Sequence, residues 1–244
     1  MLRFSRKTST THASFTHPSS THPFSPPHPS PHHPLTQNSS QNFSFRVVLI
    51  LAHALALLPL AHLIFAALTG GLTVNPIQYV EQRLGDAAIA VLTADLAVNP
   101  AVTITGWHKL SKLARPLGLY AFGYAFAHFL VFIGLDFGFS GPLLWQELRE
   151  KPFILLGLSA LILLAALAIT SFKWWMRRLG RNWKRLHRLV YVAGILVVIH
   201  YGLALKGDFF HLRGNELLPL LYAVVILILL AMRIPWVKRR LKRR

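Results

Sequence analysis

Six apolar runs, each long enough to cross a bilayer and each closed by charged or turn-forming residues, constrain this chain more than any other feature. They read as helices over about Arg46–Thr69, Asp86–Val102, Pro116–Leu135, Pro152–Phe172, Leu186–Leu205 and Leu217–Ile234. A hydrocarbon core about 30 Å thick needs roughly 20 apolar residues per helix. Inside it each backbone N–H and C=O must find its partner within the protein, which a helix provides. The expected fold is therefore all-α, an integral membrane six-helix bundle. Pro116 and Pro152 each open a helix at a first-turn position, where the missing N–H has no helical partner to lose. The second run is the weakest, because Asp95, Asn99 and Pro100 fall inside it.

Composition agrees with that reading and excludes another. The chain has 244 residues with a formal net charge of +18, yet 53% are hydrophobic and only 14% charged. A nucleic-acid binder displays its basic excess on a hydrophilic surface, and a mean hydropathy of +0.45 rules that out. There are no cysteines, which excludes disulfides, thiolate-held iron–sulfur clusters, thiolate haem and CxxCH haem attachment.

Residues 1–45 differ from the rest. They are rich in Pro, Ser, Thr and His, lack apolar periodicity, and are expected to form a disordered tail ahead of a membrane domain spanning 46–240. The tail holds six of the 13 histidines, His12, His17, His22, His28, His32 and His33. Metal binding, a compositional accident or a misassigned start would each account for them. No apolar segment follows the first basic residues closely, so the tail is not read as a signal peptide.

Charge gives the bundle a direction. With the N-terminus inside, the cytoplasmic segments are 1–46, 103–115, 173–188 and 233–244. They carry 21 of the 26 Lys and Arg residues and no Asp or Glu. The opposite side carries Arg83, Arg149, Lys151, Lys206 and Arg213, together with Glu81, Asp86, Asp136, Glu147, Glu150, Asp208 and Glu216. This positive-inside pattern places both termini in the cytoplasm, and an odd number of spans would destroy it.

Ionisable residues inside spans are costly and therefore point to function. They are His53, His62, Asp95, His128, His187 and His200. Imidazole is the usual neutral axial ligand of b-type haem. His128 lies 12 residues into the third helix, about 18 Å deep, and His200 lies 14 residues into the fifth, about 21 Å deep. Both helices enter from the cytoplasmic side, so the two histidines share a depth toward the outer leaflet and could clamp one haem. His187 precedes His200 by 13 residues, about 20 Å along the axis and roughly 220° around it. It cannot share that haem, and a second haem, a flavin or solvent could be its partner. His53 and His62 read as packing residues. Asp95 reads as a proton-handling group or the lining of a polar cavity. Arg177, Arg178, Arg181, Lys184, Arg185 and Arg188, with Trp174, Trp175 and Trp183, form a basic aromatic patch. It suits lipid headgroups, or an anionic cofactor or acidic redox partner. Arginine forks match phosphates and haem propionates, and Arg115 could serve either.

The stretch RRLGRNWKRLHRLVYVAGILVVIHY (177–201) resembles the MsrQ family, a branch of the ferric reductase-like transmembrane family. So do RPLGLYAFGYAFAHFL (Arg115–Leu130), EKPFILLGL (Glu150–Leu158) and LAITS (Leu167–Ser171). The resemblance covers roughly 46–240. It implies that His128 and His200 bind haem iron and that His187 is a further haem ligand or a close neighbour. It implies haem b, one copy or two, and raises FMN as another candidate cofactor. It further implies a bacterial inner-membrane subunit that is not catalytic alone. Electrons would come from a cytoplasmic flavin reductase or quinol and go to an outer-face molybdopterin methionine sulfoxide reductase. The chain departs from the family at Ala114-Arg115, where a double arginine is common, and in having Asp95 and no arginine at the end of the second helix. About ten residues follow the sixth helix and no GxGxxG loop occurs, so a built-in nucleotide domain is not expected. A divergent ferric or other metal reductase subunit is the alternative within this class. A transporter or assembly protein with structural histidines is the alternative outside it.

The absence of native cysteine makes the topology directly testable. Lys184→Cys should react with a membrane-impermeant maleimide only from the cytoplasmic side, and Glu147→Cys only from the outside. Labelling of both from one side would reject the six-span arrangement.

Overall fold

The computed structural model describes residues 35–204 and 217–241. The segment before Leu35, with its six histidines, lies outside the described residues, as do Lys206, Asp208, Arg213 and Glu216. Every regular element among the described residues is helical. The elements are α1 (Leu35–Leu68), α2 (Pro76–Thr105), α3 (Ala114–Val131), α4 (Gly141–Glu150) and α5 (Pro152–Ile169), followed by α6 (Lys173–Leu179), α7 (Arg181–Leu186), α8 (Leu189–Ala204), α9 (Leu217–Ala231) and α10 (Pro235–Leu241). A 3-10 segment, His108–Leu113, leads into α3, and a π turn, Phe132–Asp136, prolongs it. Five stretches are long and apolar enough to cross a membrane: Phe43–Leu68, Pro76–Thr105, His108–Asp136, Pro152–Ile169 and Arg181–Ala204. The sixth expected span coincides with α9, whose 15 residues cover about 22 Å.

The bundle is built from two helix pairs, α2 with α3 and α5 with α8, which are its most extensive contacts. α9 packs on α8 and α2, and α1 lies against α2 and α3. One end is basic, carrying α6, α7 and α10. The other carries Glu81, Asp136 and the amphipathic α4, where Lys151 pairs with Glu147. Neither α4 nor the short pair α6 and α7 was expected, because helices of this length leave no bilayer-sized apolar run.

The second helix departs furthest from expectation. α2 starts at Pro76 rather than near Asp86, because the side chain of Asn75 caps it by accepting from the Gln78 N–H at 3.2 Å. At the other end Gly106, at φ 69°, donates its N–H to the Val102 carbonyl. α2 is also the centre of the bundle. Its apolar window is 39% buried, against 6% in α1 and 17–22% in the other long spans. Leu84, Ala87, Ile89, Leu92 and Leu96 are all buried. The sequence marked this helix as the weakest because Asp95, Asn99 and Pro100 count as a cost there, whether or not a neighbouring helix supplies their partners.

Side chains from other helices reach backbone carbonyls within the spans, one of them exposed by a proline. Pro100 has no N–H, so the Leu96 carbonyl four residues earlier loses its helical donor. The Arg233 guanidinium fills that place, donating from Nη2 at 2.6 Å while lying over the Tyr191 ring at 4.6 Å. Arg233 is thus not a free loop charge; it ties the end of α9 to α2. In α1, the Tyr124 hydroxyl donates to the Ala56 carbonyl at 2.6 Å, next to Leu55, whose helical donor Pro59 removes. One turn below, Tyr120 hydrogen-bonds His53 Nδ1 at 3.0 Å. These two tyrosines of α3 hold a helix whose Leu55, Leu58 and Phe65 otherwise face outward.

Removing Arg233 should leave the Leu96 carbonyl unpaired, at a cost of about 1–3 kcal/mol. Arg233→Met should therefore lower the detergent melting temperature in the native background. It should cost much less beside Pro100→Ala, which restores the helical donor. Equal losses in both backgrounds would show that Arg233 does not act through this carbonyl.

Candidate functional site

His128 on α3 and His200 on α8 are brought together, with ring centroids 6.3 Å apart and planes at 79°. Each ring is held by a neighbouring helix in the same way. His128 Nδ1 lies 2.9 Å from the carbonyl oxygen of Glu81, and His200 Nδ1 lies 2.7 Å from that of Phe153. A carbonyl only accepts, so Nδ1 carries the proton in both rings, which leaves Nε2 with its lone pair. This arrangement orients metal-binding imidazoles and raises their basicity.

The rings also need room, and glycine provides it. A Cβ on Gly85 would stand 3.4 Å from His128 Nδ1, and one on Gly157 would stand 2.7 Å from His200 Cε1. Each histidine therefore occupies a notch made by a carbonyl and by a glycine four residues later. Glu81 and Gly85 form it on α2, and Phe153 and Gly157 on α5. The two notches are one motif used twice: 81 and 153, 85 and 157, and 128 and 200 are each 72 positions apart. The histidines were legible in the sequence. The glycines and carbonyls were missed, and the 72-residue offset is the signal that would have located them.

The remaining expected residues lie elsewhere. His187 sits between α7 and α8 at the basic end. Its ring lies 4.1 Å from that of Trp183, and its Nε2 is 3.3 Å from the Thr170 hydroxyl. That hydroxyl donates to the Ala166 carbonyl, and Trp183 Nε1 donates to the Thr170 carbonyl at 2.9 Å. Arg115 is exposed at the start of α3, about 20 Å along the axis from His128. The structure does not bring either residue to the His128–His200 pair. His62 is exposed on α1, and His53 is engaged by Tyr120. Asp95 is partly buried on α2 within the field of Arg233, and its carboxylate is 3.9 Å from where a Cβ on Gly118 would stand. Trp174 packs edge-on to Trp175 and lies under Arg178 on the basic face.

The donor set of the pair suits one six-coordinate iron. With Nδ1 of each ring committed to a carbonyl, His128 and His200 would offer Nε2 to a haem iron held between them.

An all-helical bundle with five membrane-length apolar helices, and a histidine brought in from each of two of them, defines a class. Residues 84–198 match the ferric reductase-like transmembrane component, a stretch that encloses Gly85, His128 and Gly157. Three relatives carry the name protein-methionine-sulfoxide reductase heme-binding subunit MsrQ. The chain is 37% identical to that of Bordetella pertussis over 187 residues, covering 75% of this chain and 87% of the relative. It is 38% identical to that of Caulobacter vibrioides over 183 residues, with coverage of 75% and 83%. It is 40% identical to that of Rhodospirillum rubrum over 173 residues, with coverage of 70% and 80%. The chain belongs to the MsrQ family, and it is a multi-pass membrane protein.

The two notches should differ in tolerance. Gly157→Ala must displace the His200 ring and should cost about 1–3 kcal/mol of overpacking. Gly85→Ala, whose new methyl would make ordinary contact, should cost under about 1 kcal/mol. Thermal unfolding followed by tryptophan fluorescence measures both, and equal losses would contradict the notch geometry.

Proposed function

We propose that this protein is a transmembrane electron-transfer subunit that holds a b-type haem between His128 and His200. The observation that carries the reading is the pair of imidazoles with ring centroids 6.3 Å apart, each with Nδ1 committed to a backbone carbonyl and Nε2 left for a ligand. When bound, haem supplies the one-electron chemistry; the protein supplies orientation, potential and exclusion of water. Glu81 and Phe153 would keep both rings in the ligating tautomer through their carbonyls, and Gly85 and Gly157 let the rings come close to α2 and α5.

The charge asymmetry supports a direction. The basic end, with Arg177, Arg178, Arg181, Lys184, Arg185 and Arg188, belongs in the cytoplasm by the positive-inside rule, in a bacterial inner membrane with both termini inside. It suits a donor with an acidic surface, a flavin reductase, or a quinol reaching the inner leaflet. Arg115 and His187 stand at that end, where an FMN phosphate, a haem propionate or a second haem would meet them. At the acidic end the proposed acceptor is a molybdopterin methionine sulfoxide reductase; the relatives are named heme-binding subunits of a protein-methionine-sulfoxide reductase.

A reduced-minus-oxidised spectrum of the purified protein should show b-type haem. His128→Ala and His200→Ala should each abolish it, with the protein still inserted in the membrane. Haem retained in both variants would refute the ligand pair.

A further inference from the structure

The duplicated notch is not matched in charge. Glu81 and Asp86 on α2 stand where α5 has Phe153 and Leu158, and Asp86 is the carboxylate that follows the notch glycine directly. Only the α2 seat therefore carries acidic side chains. Asp86 is not a loop residue. It lies within the long apolar α2, where an acidic side chain is costly unless it is partnered.

Its partner comes from the other half of the bundle. Tyr201, next in the chain to His200, donates its hydroxyl to Asp86 Oδ1 at 2.8 Å. The Tyr222 ring from α9 stands 6.2 Å from that of Tyr201. The field of Asp86 reaches the His128 ring as well as both tyrosines. One turn of α2 therefore acts on His128 in three ways: the Glu81 carbonyl orients it, Gly85 admits it, and Asp86 adds charge beside it. Through Tyr201 the same carboxylate is tied to the segment that carries His200.

We propose that Asp86, held by the Tyr201 hydroxyl, is the residue that sets the reduction potential of the haem between His128 and His200. The proposal rests on the haem-binding reading above. Oxidised iron carries one more positive charge than reduced iron. A fixed carboxylate nearby favours the oxidised form, lowering the potential and making the reduced protein a stronger donor. Surroundings of low dielectric strengthen this effect relative to water. Asp86 is a positioning and tuning residue, since it acts on the iron through space and through the ligand-bearing helices.

The test is a potentiometric titration of the purified full-length protein in detergent, read at the haem absorbance bands. Asp86→Asn keeps an oxygen that can accept from Tyr201 and removes only the charge. It should raise the ferrous-to-ferric ratio at a fixed ambient potential by about tenfold, an upward shift of about 59 mV for a one-electron couple. Tyr201→Phe should move the potential the opposite way, because the carboxylate stays and loses the donor that partly neutralises it. An unchanged or lowered potential in Asp86→Asn would overturn the proposal. So would the same upward shift in both variants, which would mean that the hydrogen bond matters only structurally. If Asp86→Asn fails to fold, Tyr201→Phe decides alone: a lowered potential supports the proposal and any other result sinks it. Absence of haem from the native protein would instead overturn the reading beneath, and the proposal with it.

Discussion

A backbone carbonyl on one helix holding an imidazole on the next is the contact on which the rest of this structure depends. Within hydrocarbon a polar side chain has no water to fall back on, so its partner must be protein. The Glu81 and Phe153 carbonyls already belong to their own helices, and an oxygen with two lone pairs can accept a second donor. The cost is steric. The ring must come close to the helix surface, and the residue one turn along must be small. Gly85 and Gly157 meet that requirement, and the 2.7 Å approach at Gly157 leaves no room for an alternative.

The same rule explains how the helices are tied together. Long polar side chains reach across to carbonyls of neighbouring helices: Arg233 covers the Leu96 oxygen that Pro100 exposes, and Tyr124 donates to Ala56. Asp86 and Tyr201 satisfy one another across the bundle. Dispersion between apolar faces is nearly matched by lipid, so these polar clasps contribute specificity that packing alone does not. α2 takes part in most of them, which is why a span carrying Asp86, Asp95, Asn99 and Pro100 lies at the centre.

Duplication and its breach together give the site its character. Two hairpins, α2 with α3 and α5 with α8, present equivalent histidines from opposite sides, and symmetry of this kind suits an iron with two like axial ligands. Glu81 and Asp86, where the other side has Phe153 and Leu158, then make the two sides electrically different. The asymmetry between the two ends of the bundle is larger still, with the cationic residues of α6, α7 and α10 far from the acidic residues around α4.

Much of this was legible beforehand. Long apolar runs dictate helices, because no other local structure satisfies the backbone in lipid. The uneven distribution of Lys and Arg dictates which end is which. Counting residues from the helix entrances placed His128 and His200 at one depth, since rise per residue is fixed by helix geometry. A sequence cannot specify which neighbour a given face meets. The extent of α2, the helices α4, α6 and α7, the glycine notches, the role of Arg233 and the Asp86–Tyr201 bond all came from tertiary packing. Depth along a helix is a local property and can be counted. The partner of a buried polar group is set by contacts between residues 47 to 137 positions apart, and only the folded bundle brings those together.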